Sequence, residues 1–558
     1  MAKRVQRTAG PVYVTALGGV GEVGKNATLL ECDQNLVLID CGVQFPSPEH
    51  LGVDLIIPDF SYVLSRPEQF LGLVLTHAHE DHIGAVPLFL RQMGTRVDIY
   101  GTDLTLAMVE AKLRRGGEGQ FARFYPVQLD DYLELGPFGI GFVPVGHSIP
   151  DAVALTVDTP QGKLFFTGDF KFTTESGELD RAALQEIGRD GVHVLFSDCV
   201  RVENPGRTPP ESTVVETLDR IVQKASGRVI VASFASNLAR VKQLLQIAER
   251  RGRKVGIAGR GLVTAVEVGR ELGYLTPPAS LIVDLGDAER KPGREVLILA
   301  TGSQGEPAAA LSRMAVGDHP QLRIREGDTV VLSSSPVPGN EEHVTRTIDN
   351  LFRRGADVIW QAIEPTVHVS GHASREELGE LVKLLRPTYA VPLHGEYRMQ
   401  VLYRRVAVES GVKPSNVLFL EIGRSLKLEG GKAKLDGGIP SGSVLVDGIE
   451  IGGVDEAVLR DRQHLAADGV VIVSVTMDRA SGEILSSPEI IARGVADERR
   501  VAPALEAACQ AVERALRRLD AAELDVAFVQ SRMHEVALSV LRQQAGLRPL
   551  VLPLVAEI

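Results

Sequence analysis

Short apolar runs separated by Gly, Pro, Asn and Asp fill the first 170 positions of the chain. Runs of about four to eight residues bounded in this way are typical of β-strands. They predict strands at 12–17, 27–31, 36–40 and 71–75, and a second group at 140–168 that includes the hairpin VALTVDT-PQG-KLFFTGD. This part of the chain is therefore predicted to form layered β-sheets.

The pattern changes near Thr208, where amphipathic helical segments begin to alternate with short apolar runs. Helices are predicted near 214–225, 238–251, 263–272 and 343–354, and strands at 228–233, 255–258, 296–300, 329–334 and 358–360. Such alternation is typical of a mostly parallel sheet with helices on its faces. After position 361 the β-rich pattern returns, with strands predicted at 389–393 and 417–421, which indicates that the alternating segment is an inserted domain.

The end of the chain is predicted to be a small α+β domain. Behind a Gly-rich stretch at 430–453, the pattern predicts strands at 470–477, 484–491 and 550–555 and helices at 502–518 and 523–543. The fold class is thus α/β and α+β multidomain. Its predicted parts are a first domain of 1–207 with 361–450, an insert of 208–360, a linker of 451–462 and a terminal domain of 463–558.

Composition excludes several classes of protein. The chain has 558 residues, 44% of them hydrophobic, and no run of about 18 apolar residues that a membrane helix requires. Its four cysteines are too widely spaced for a disulfide framework. We therefore expect no membrane association and a reducing, cytoplasmic location.

The formal net charge of −12 argues at first against a nucleic-acid partner, because such partners usually require a basic surface. The charge is unevenly distributed, however. Residues 1–207 contain 17 basic and 27 acidic residues, a balance of −10, whereas 208–360 contain 20 basic and 18 acidic residues, a balance of +2. Net charge therefore leaves nucleic acid open as a partner of the inserted segment.

The candidate chemistry begins with the loop His77-Ala78-His79-Glu80-Asp81-His82, directly after the predicted strand 71–75. Clustered neutral imidazoles and carboxylates are typical ligands of divalent cations such as zinc. Further donors follow apolar runs elsewhere in the chain: His147, Asp169 and His394. We expect two ions with Asp169 between them, because a carboxylate can bridge metals that lie about 3.5–4 Å apart.

These residues carry a resemblance to a known family. The strings THAHEDH, GHS, TGD and HGE together resemble the metallo-β-lactamase superfamily of αββα hydrolases. The inserted segment is similar to that of the β-CASP nucleases, and the strings GGVGEVGKN, SFASN, TGSQGEP and HVSGHAS resemble the ribonuclease J family. The resemblance implies an αββα sandwich with an inserted parallel-sheet β-CASP domain and a small C-terminal domain.

The resemblance also implies roles for individual residues. One ion would be held by His77, His79 and His147, and the other by Asp81, His82 and His394, with Asp169 bridging the two. His372, Asp81 and Asp198 would act in catalysis. The family commonly has Ser-Thr after the residue matching Asp198, whereas this chain has Cys199-Val200, which puts hydrogen bonding by those hydroxyls in doubt.

A 5′-phosphate pocket is a further implication of the resemblance. Its residues would be Ser236, Asn237, His368, Ser370, Gly371, His372, Ala373 and Ser374. Ser374 and Glu377 predict a capping box, and a helix N-terminus at this point would attract an anion. Plain helix caps are the alternative explanation for both turns, and a satisfied core residue is the alternative for His368.

The resemblance implies a ribonuclease that uses zinc or manganese to digest single-stranded RNA from 5′-monophosphate ends and to cut it internally. Asp81 and Asp169 would orient or deprotonate the attacking water, and His372 would protonate the departing 3′ oxygen. Family members self-associate through the terminal domain, so a homodimer or tetramer is expected, together with other RNA-processing proteins as partners. The alternatives are a DNA-directed β-CASP nuclease, a small-ester or thioester hydrolase, and a noncatalytic RNA-binding scaffold.

Overall fold

The computed structural model describes residues 10–558 apart from 48, 115, 175–176, 338, 449, 480, 482, 496–497 and 519–524. The chain divides into two compact units, one of Met1–Phe45 with Leu55–Val444 and one of Pro46–Asp54 with Leu445–Ile558. Among the described residues, no helix is both long and apolar enough to cross a membrane.

Two sheets of the first unit pack face to face. The eight-stranded sheet has the order Lys432–Gly438, Arg424–Glu429, Val12–Gly18, Ala27–Cys32, Asn35–Ile39, Phe70–Val74, Val97–Gly101, Ala122–Pro126. The six-stranded sheet has the order Tyr389–Leu393, Val192–Asp198, Gly162–Phe166, Val153–Thr159, Phe138–Pro144, Tyr132–Leu135. Strand alternation explains the core between them, since Val12, Val14 and Ala16 share one face and pack with Ile140 and Leu155 of the other sheet.

Helices cover the outer faces of this sandwich. Four helices lie in the chain between strands of the eight-stranded sheet: Ser61–Leu64, Glu80–Ile83, Val86–Met93 and Asp103–Leu113. A second core joins the six-stranded sheet to the helices Arg181–Asp190, Arg375–Leu385 and Tyr397–Glu409, through residues such as Leu195, Leu184, Leu381 and Tyr403. The αββα architecture is confirmed.

The inserted segment forms its own sheet of five parallel strands. The order is Lys254–Ala258, Val296–Ala300, Val229–Ala232, Thr329–Leu332, Asp357–Ile359. The strand Val296–Ala300 is buried at every position, which explains its continuous apolar run, because helices cover both faces of such a sheet. The helices are Glu211–Lys224, Leu238–Arg250, Arg260–Glu271, Leu285–Arg290, Ala310–Val316 and Glu341–Arg353.

The return from the insert brings distant residues to one edge of the six-stranded sheet. Tyr389–Leu393 pairs in parallel with Val192–Asp198, and Leu393 is opposite Asp198. Val192–Asp198 in turn pairs in parallel with Gly162–Phe166. Because carboxyl ends of parallel strands meet at one edge, Asp169, Asp198 and His394 come together there. The predicted strand at 417–421 is wrong, since only Val417 forms a bridge, to Ala390.

The second unit contains a three-stranded sheet in the order Glu489–Arg493, Val470–Met477, Leu550–Glu557. Its helices are Glu456–Asp468, Glu498–Leu516 and Val526–Ala545, and the last two pack on the sheet through Val512, Met533 and Val471. The helix Glu456–Asp468 begins within the predicted linker 451–462. The Gly-rich stretch ends at Gly453, and the Asp455 side chain accepts a hydrogen bond from Val458 N and caps that helix.

Candidate metal centre

Seven predicted ligands form two adjoining groups that share Asp169. The first group is His77, His79, His147 and Asp169, and the second is Asp81, His82, Asp169 and His394. Within each group, one possible ligand atom from every residue lies within 4.8 Å of the others. The loop after the strand Phe70–Val74 brings His77 and His79 to one group and, through the first turn of the helix Glu80–Ile83, Asp81 and His82 to the other.

The two carboxylate oxygens of Asp169 face different groups. Oδ2 lies 3.5 Å from His77 Nε2 and 3.6 Å from His147 Nε2. Oδ1 lies 3.2 Å from His82 Nε2 and 2.6 Å from His394 Nδ1. This is the arrangement expected of a carboxylate that bridges two cations.

Hydrogen bonds fix three of the imidazole rings, those of His147, His82 and His77, so that one nitrogen of each faces the cluster. His147 Nδ1 donates to Gly371 O at 2.8 Å, and His82 Nδ1 donates to Asp40 Oδ2 at 2.7 Å. His77 Nδ1 contacts Thr76 Oγ1 at 3.0 Å. Metal-binding histidines usually engage their second nitrogen in this way, which fixes the tautomer and the ring orientation.

The first group is electrostatically suited to a cation because its imidazoles are neutral. Burial, reinforced by His77, lowers the pKa of His79 to about 3. Burial also lowers the pKa of His77, with His82 adding to the effect, and that of His147, with His79 adding to it. A neutral imidazole keeps its lone pair for a metal ion.

The second group differs because two carboxylates adjoin its imidazoles. Burial opposes protonation of His394, but Asp169 and Asp81 outweigh it and raise the pKa to about 10. The same carboxylates with Asp40 raise the pKa of His82 against its burial. Burial would raise the pKa of Asp81, yet His82 and His394 lower it below its ordinary value. Positive charge is therefore strongly favoured here.

The donor set fits divalent ions. Among the described residues, His77 Nε2 is buried without a hydrogen-bond partner, which is costly unless another group binds it, and His394 Nε2 lies 3.1 Å from Asp81 Oδ2. A cavity of about 40 Å³, lined in part by His82, Asp169 and His394, adjoins the second group, and this volume exceeds what one water needs. Imidazole and carboxylate ligands suit zinc and also accept manganese.

A third group, Asp198, His372 and His394, adjoins the metal ligands. His372 Nδ1 donates to Asp198 Oδ2 at 2.7 Å, and His372 Nε2 lies 3.9 Å from Asp169 Oδ2. Burial opposes protonation of His372, but Asp198 and then Asp169 outweigh it and raise its pKa. A histidine held in this way can deliver a proton to a leaving group near the metal cluster.

The departure at Cys199-Val200 does not leave Asp198 without support. Val200 N donates to Asp198 Oδ1 at 2.8 Å, and Asp198 N donates to Thr167 Oγ1 at 2.9 Å. The Cys199 thiol donates instead to Leu393 O at 3.2 Å. The Val200 amide and the His372 ring therefore hold the carboxylate, without hydroxyls at 199 and 200.

The segment from His368 to Ser374 passes directly beside the metal cluster. A Cβ on Gly371 would lie 2.6 Å from the His147 ring, so glycine is required for this approach. The predicted capping box is present, since Ser374 N donates to Glu377 Oε2 at 3.0 Å and the Ser374 side chain caps the Glu377 amide.

The expectation that this helix end presents amides to an external anion is wrong in its physical basis. Glu377 is fully buried and accepts hydrogen bonds from Phe172 N, Thr208 N and Ser374 N. The next two amides, of Arg375 and Glu376, donate to the Asn204 and Gly206 carbonyls. The anion bound at this N-terminus is thus the protein's own carboxylate.

The other pocket residues lie on neighbouring loops. Asn237 is the N-cap of the helix Leu238–Arg250, and its side chain accepts from Arg240 N at 2.9 Å, as the helix-cap alternative predicts. His368 is buried, and its pKa is lowered well below the ordinary value by burial and then by Arg240, Lys171 and Arg201. The ring hydrogen-bonds the Ser333 backbone, and its Nδ1 has no hydrogen-bond partner among the described residues.

Sequence reasoning missed Asp40 as part of the site. Its carboxylate accepts from His82 Nδ1, Thr76 N and Thr76 Oγ1, with the last two distances at 2.8 and 2.9 Å. The sequence also did not single out Asn26, whose side-chain amide donates to Asp81 O at 3.1 Å. The available signal for Asp40 was a lone carboxylate at the end of an apolar strand, the same signal that indicated Asp169.

Comparison with known proteins gives matches along most of the chain. Residues 20–225 match the model of the metallo-β-lactamase superfamily, and 226–351 match the ribonuclease J β-CASP domain. Residues 356–417 match the Zn-dependent metallo-hydrolase RNA specificity domain, and 457–558 match the ribonuclease J C-terminal domain.

Whole-length relatives agree with these matches. The chain is 36% identical to ribonuclease J2 of Bacillus subtilis over 98% of its own length and 99% of that protein. It is 40% identical to ribonuclease J of Synechocystis over 89% of its own length and 77% of that protein. A solved Enterococcus faecalis protein of unknown function shares the fold at 16% identity, with a TM-score of 0.53 over 75% of this chain and 100% of that one.

Proposed function

The chain belongs to the ribonuclease J family of metal-dependent ribonucleases, and we propose that it digests single-stranded RNA from 5′-monophosphate ends and also cuts RNA internally. The observation that carries the proposal is the position of Asp169. Its two oxygens face two separate histidine groups, and the Asp198–His372 pair lies beside them. One cluster therefore offers both a two-metal site and a proton donor.

We propose two ions per subunit, zinc or manganese. His77, His79 and His147 would hold the first, Asp81, His82 and His394 would hold the second, and Asp169 is placed to serve both. Divalent ions held here supply Lewis acidity, which lowers the pKa of water and offsets negative charge that develops on the phosphate.

The protein's own groups position the reactants. Asp81 and Asp169 orient the attacking water or accept its proton. His372 donates a proton to the departing 3′ oxygen, and Asp198 holds the imidazole through Nδ1 so that Nε2 faces the metal cluster. The products carry 5′-phosphate and 3′-hydroxyl ends.

The preference for a 5′-monophosphate is proposed to reside in the loops Ser236-Asn237 and His368–Ser374. Because the helix amides after Ser374 already have partners, the loop side chains and the local positive charge bind the phosphate. Arg240, Lys171 and Arg201 all lie close enough to His368 to lower its pKa, and this indicates a positive potential at the pocket. Among the described residues there, His368 Nδ1, Arg240 Nε and Arg201 Nε are buried without a hydrogen-bond partner.

Assembly and location are proposals of the same kind. We propose that the protein forms a homodimer or tetramer through its terminal domain of 463–558, acts with other RNA-processing proteins and works in the cytoplasm. The exposed residues Ile491, Leu552 and Leu554 on its small sheet supply apolar surface for self-association.

Matched RNAs with 5′-phosphate, 5′-triphosphate and 5′-hydroxyl ends, incubated with Zn²⁺ or Mn²⁺, test the proposal. We expect mononucleotides mainly from the monophosphate RNA and slower internal cuts in all three. His77→Ala should lose both bound metal and cleavage, because it removes a ligand from the first group. A folded, metal-loaded His77→Ala protein with full activity would refute the ligand assignment.

Single-stranded DNA of the same sequence tests the alternative of a DNA-directed nuclease. Comparable cleavage rates on RNA and DNA would contradict the proposed substrate. Hydrolysis of small esters or thioesters without nuclease activity would favour the other alternative.

A further inference from the structure

Two buried cations from different domains share one carboxylate next to the proposed pocket. Lys171 lies two positions after the proposed bridging residue Asp169, and Arg240 lies in the first turn of the inserted domain's helix Leu238–Arg250. Their side chains are 1% and 0% exposed. Glu211 contacts both, with its Oε1 at 3.5 Å from Lys171 Nζ and its Oε2 at 2.8 Å from Arg240 Nη2.

Both cations also hold the backbone of the segment that leads to His372. Lys171 Nζ donates to Ser370 O at 3.1 Å. Arg240 Nη1 donates to Val367 O at 3.4 Å, and Ser333 Oγ donates to the same carbonyl at 2.6 Å. The side chain of Ser370 accepts from His372 N at 3.1 Å. The contacts therefore form a chain from Glu211 to the proposed proton donor.

The shared counterion is essential to this arrangement. A buried cation without a partner is strongly unfavourable, so it moves, loses its proton or admits water. Without Glu211, two such cations would face each other beneath the same loop. Their contacts with Ser370 and Val367 would then no longer be fixed.

We propose that Glu211 is a positioning residue that holds the segment 367–372 in register with the metal cluster through Lys171 and Arg240. The inference rests on the proposed function. Misplacement of reacting groups by about 1 Å can lower a rate by about a hundredfold. Glu211 thereby links the position of the inserted domain to the positions of His372 and of the proposed phosphate-binding loop His368–Ser374.

The test compares Glu211→Gln with Glu216→Gln, which changes an exposed residue of the same helix Glu211–Lys224. We measure kcat and KM on 5′-monophosphate and 5′-hydroxyl RNA, bound metal and Tm. For Glu211→Gln we expect a kcat roughly ten- to a hundredfold lower on both RNAs, a weaker preference for the monophosphate, and unchanged metal content. Glu216→Gln should match the wild type.

The double variant Lys171→Met with Glu211→Gln separates positioning from simple stability. It removes the unpaired lysine charge, while the carbonyl of the substituted amide can still accept from Arg240, so Tm should recover toward that of the wild type. We expect kcat to stay low because Ser370 O still lacks its donor. Recovery of kcat together with Tm would overturn the inference.

The two hypotheses fail in different ways. A Glu211→Gln protein as active as the wild type, with the same end preference, overturns the role of Glu211 alone. A wild-type protein that binds metal but cleaves neither RNA refutes the proposed function, and the role of Glu211 falls with it.

Discussion

Single nitrogen atoms decide what each histidine of the metal centre can do. His82 offers Nε2 to the cluster because its Nδ1 donates to Asp40. Asp40 is itself fixed by the backbone and side chain of Thr76. A residue that touches no proposed ion therefore determines the orientation of one that does.

Asp40→Asn should weaken metal binding. The carboxylate of Asp40 accepts three hydrogen bonds, whereas the asparagine side chain has an NH2 group in place of one oxygen. That NH2 group faces one of the three donors and cannot accept from it, so the tautomer of His82 is no longer fixed. We expect about 10- to 100-fold lower affinity for zinc, measured by competition with a chromogenic chelator. Asp33→Asn, in the exposed turn at the other end of the strand Asn35–Ile39, is the control and should bind zinc as the wild type does. Equal affinity in both variants would contradict the role given to Asp40.

His372→Ala should separate chemistry from metal binding. None of the seven proposed ligands is changed, so bound metal should remain, while loss of the proton donor should lower kcat about 10²- to 10⁴-fold. Single-turnover cleavage rates and metal analysis on the same sample measure both quantities. The exposed His464→Ala is the matched control. A His372→Ala protein with wild-type kcat would exclude His372 as the acid.

At the scale of single elements, the helix Arg375–Leu385 shows how a correct local prediction can lead to a wrong functional argument. The spacing of Ser374 and Glu377 predicts the capping box, and the structure contains it. The sequence does not reveal that Glu377 also accepts from Phe172 N and Thr208 N, which come from distant segments. The N-terminus of this helix therefore binds the segments around Phe172 and Thr208 through the Glu377 carboxylate.

Glu377→Gln should destabilise the protein. A neutral amide cannot accept at both oxygen positions, so at least one buried N–H loses its acceptor. We expect the free energy of unfolding to fall by about 1–3 kcal/mol, measured by urea denaturation. Glu376→Gln changes the exposed neighbour and should leave stability unchanged. Equal stability of the two variants would contradict the role of Glu377 as the acceptor for these buried amides.

At the scale of the whole molecule, the cores and the metal centre use different residues. The core between the two sheets and the core beneath the outer helices consist of apolar residues and contain none of the seven proposed ligands. The fold of the first unit therefore has apolar support that is independent of an ion. We therefore expect the fold to persist when metal is removed.

Removal of metal by a chelator should abolish cleavage and leave the fold intact. Far-ultraviolet circular dichroism and activity are measured before chelation, after it and after addition of Zn²⁺ or Mn²⁺. We expect an unchanged spectrum throughout and restored activity at the end. Loss of the spectrum together with activity would show that the ions also hold the fold.

The sequence by itself determined the architecture and the family. Periodicity two and periodicity 3.6 mark which faces of strands and helices are apolar, so the layered β-sheets, the inserted parallel sheet and the terminal α+β domain followed from local pattern. The αββα arrangement followed from the resemblance of the motifs to a known family. The loop from His77 to His82 was equally visible, because its residues adjoin in the chain. The helix that begins within the predicted linker 451–462 also has a local signal, its N-cap Asp455.

Only the tertiary structure decided which distant groups meet. Asp40 and Asp198 look alike in the sequence as carboxylates at the ends of apolar runs, yet Asp40 orients a metal-site histidine and Asp198 holds the proposed acid. Glu377 is visible in the sequence as a capping residue, but its bond to Thr208 N is not. Glu211 acquires its two cations from segments 40 and 29 residues away. Parallel strand pairing and burial bring these groups into contact. The role of a charged side chain therefore depends on neighbours that only the tertiary structure places beside it.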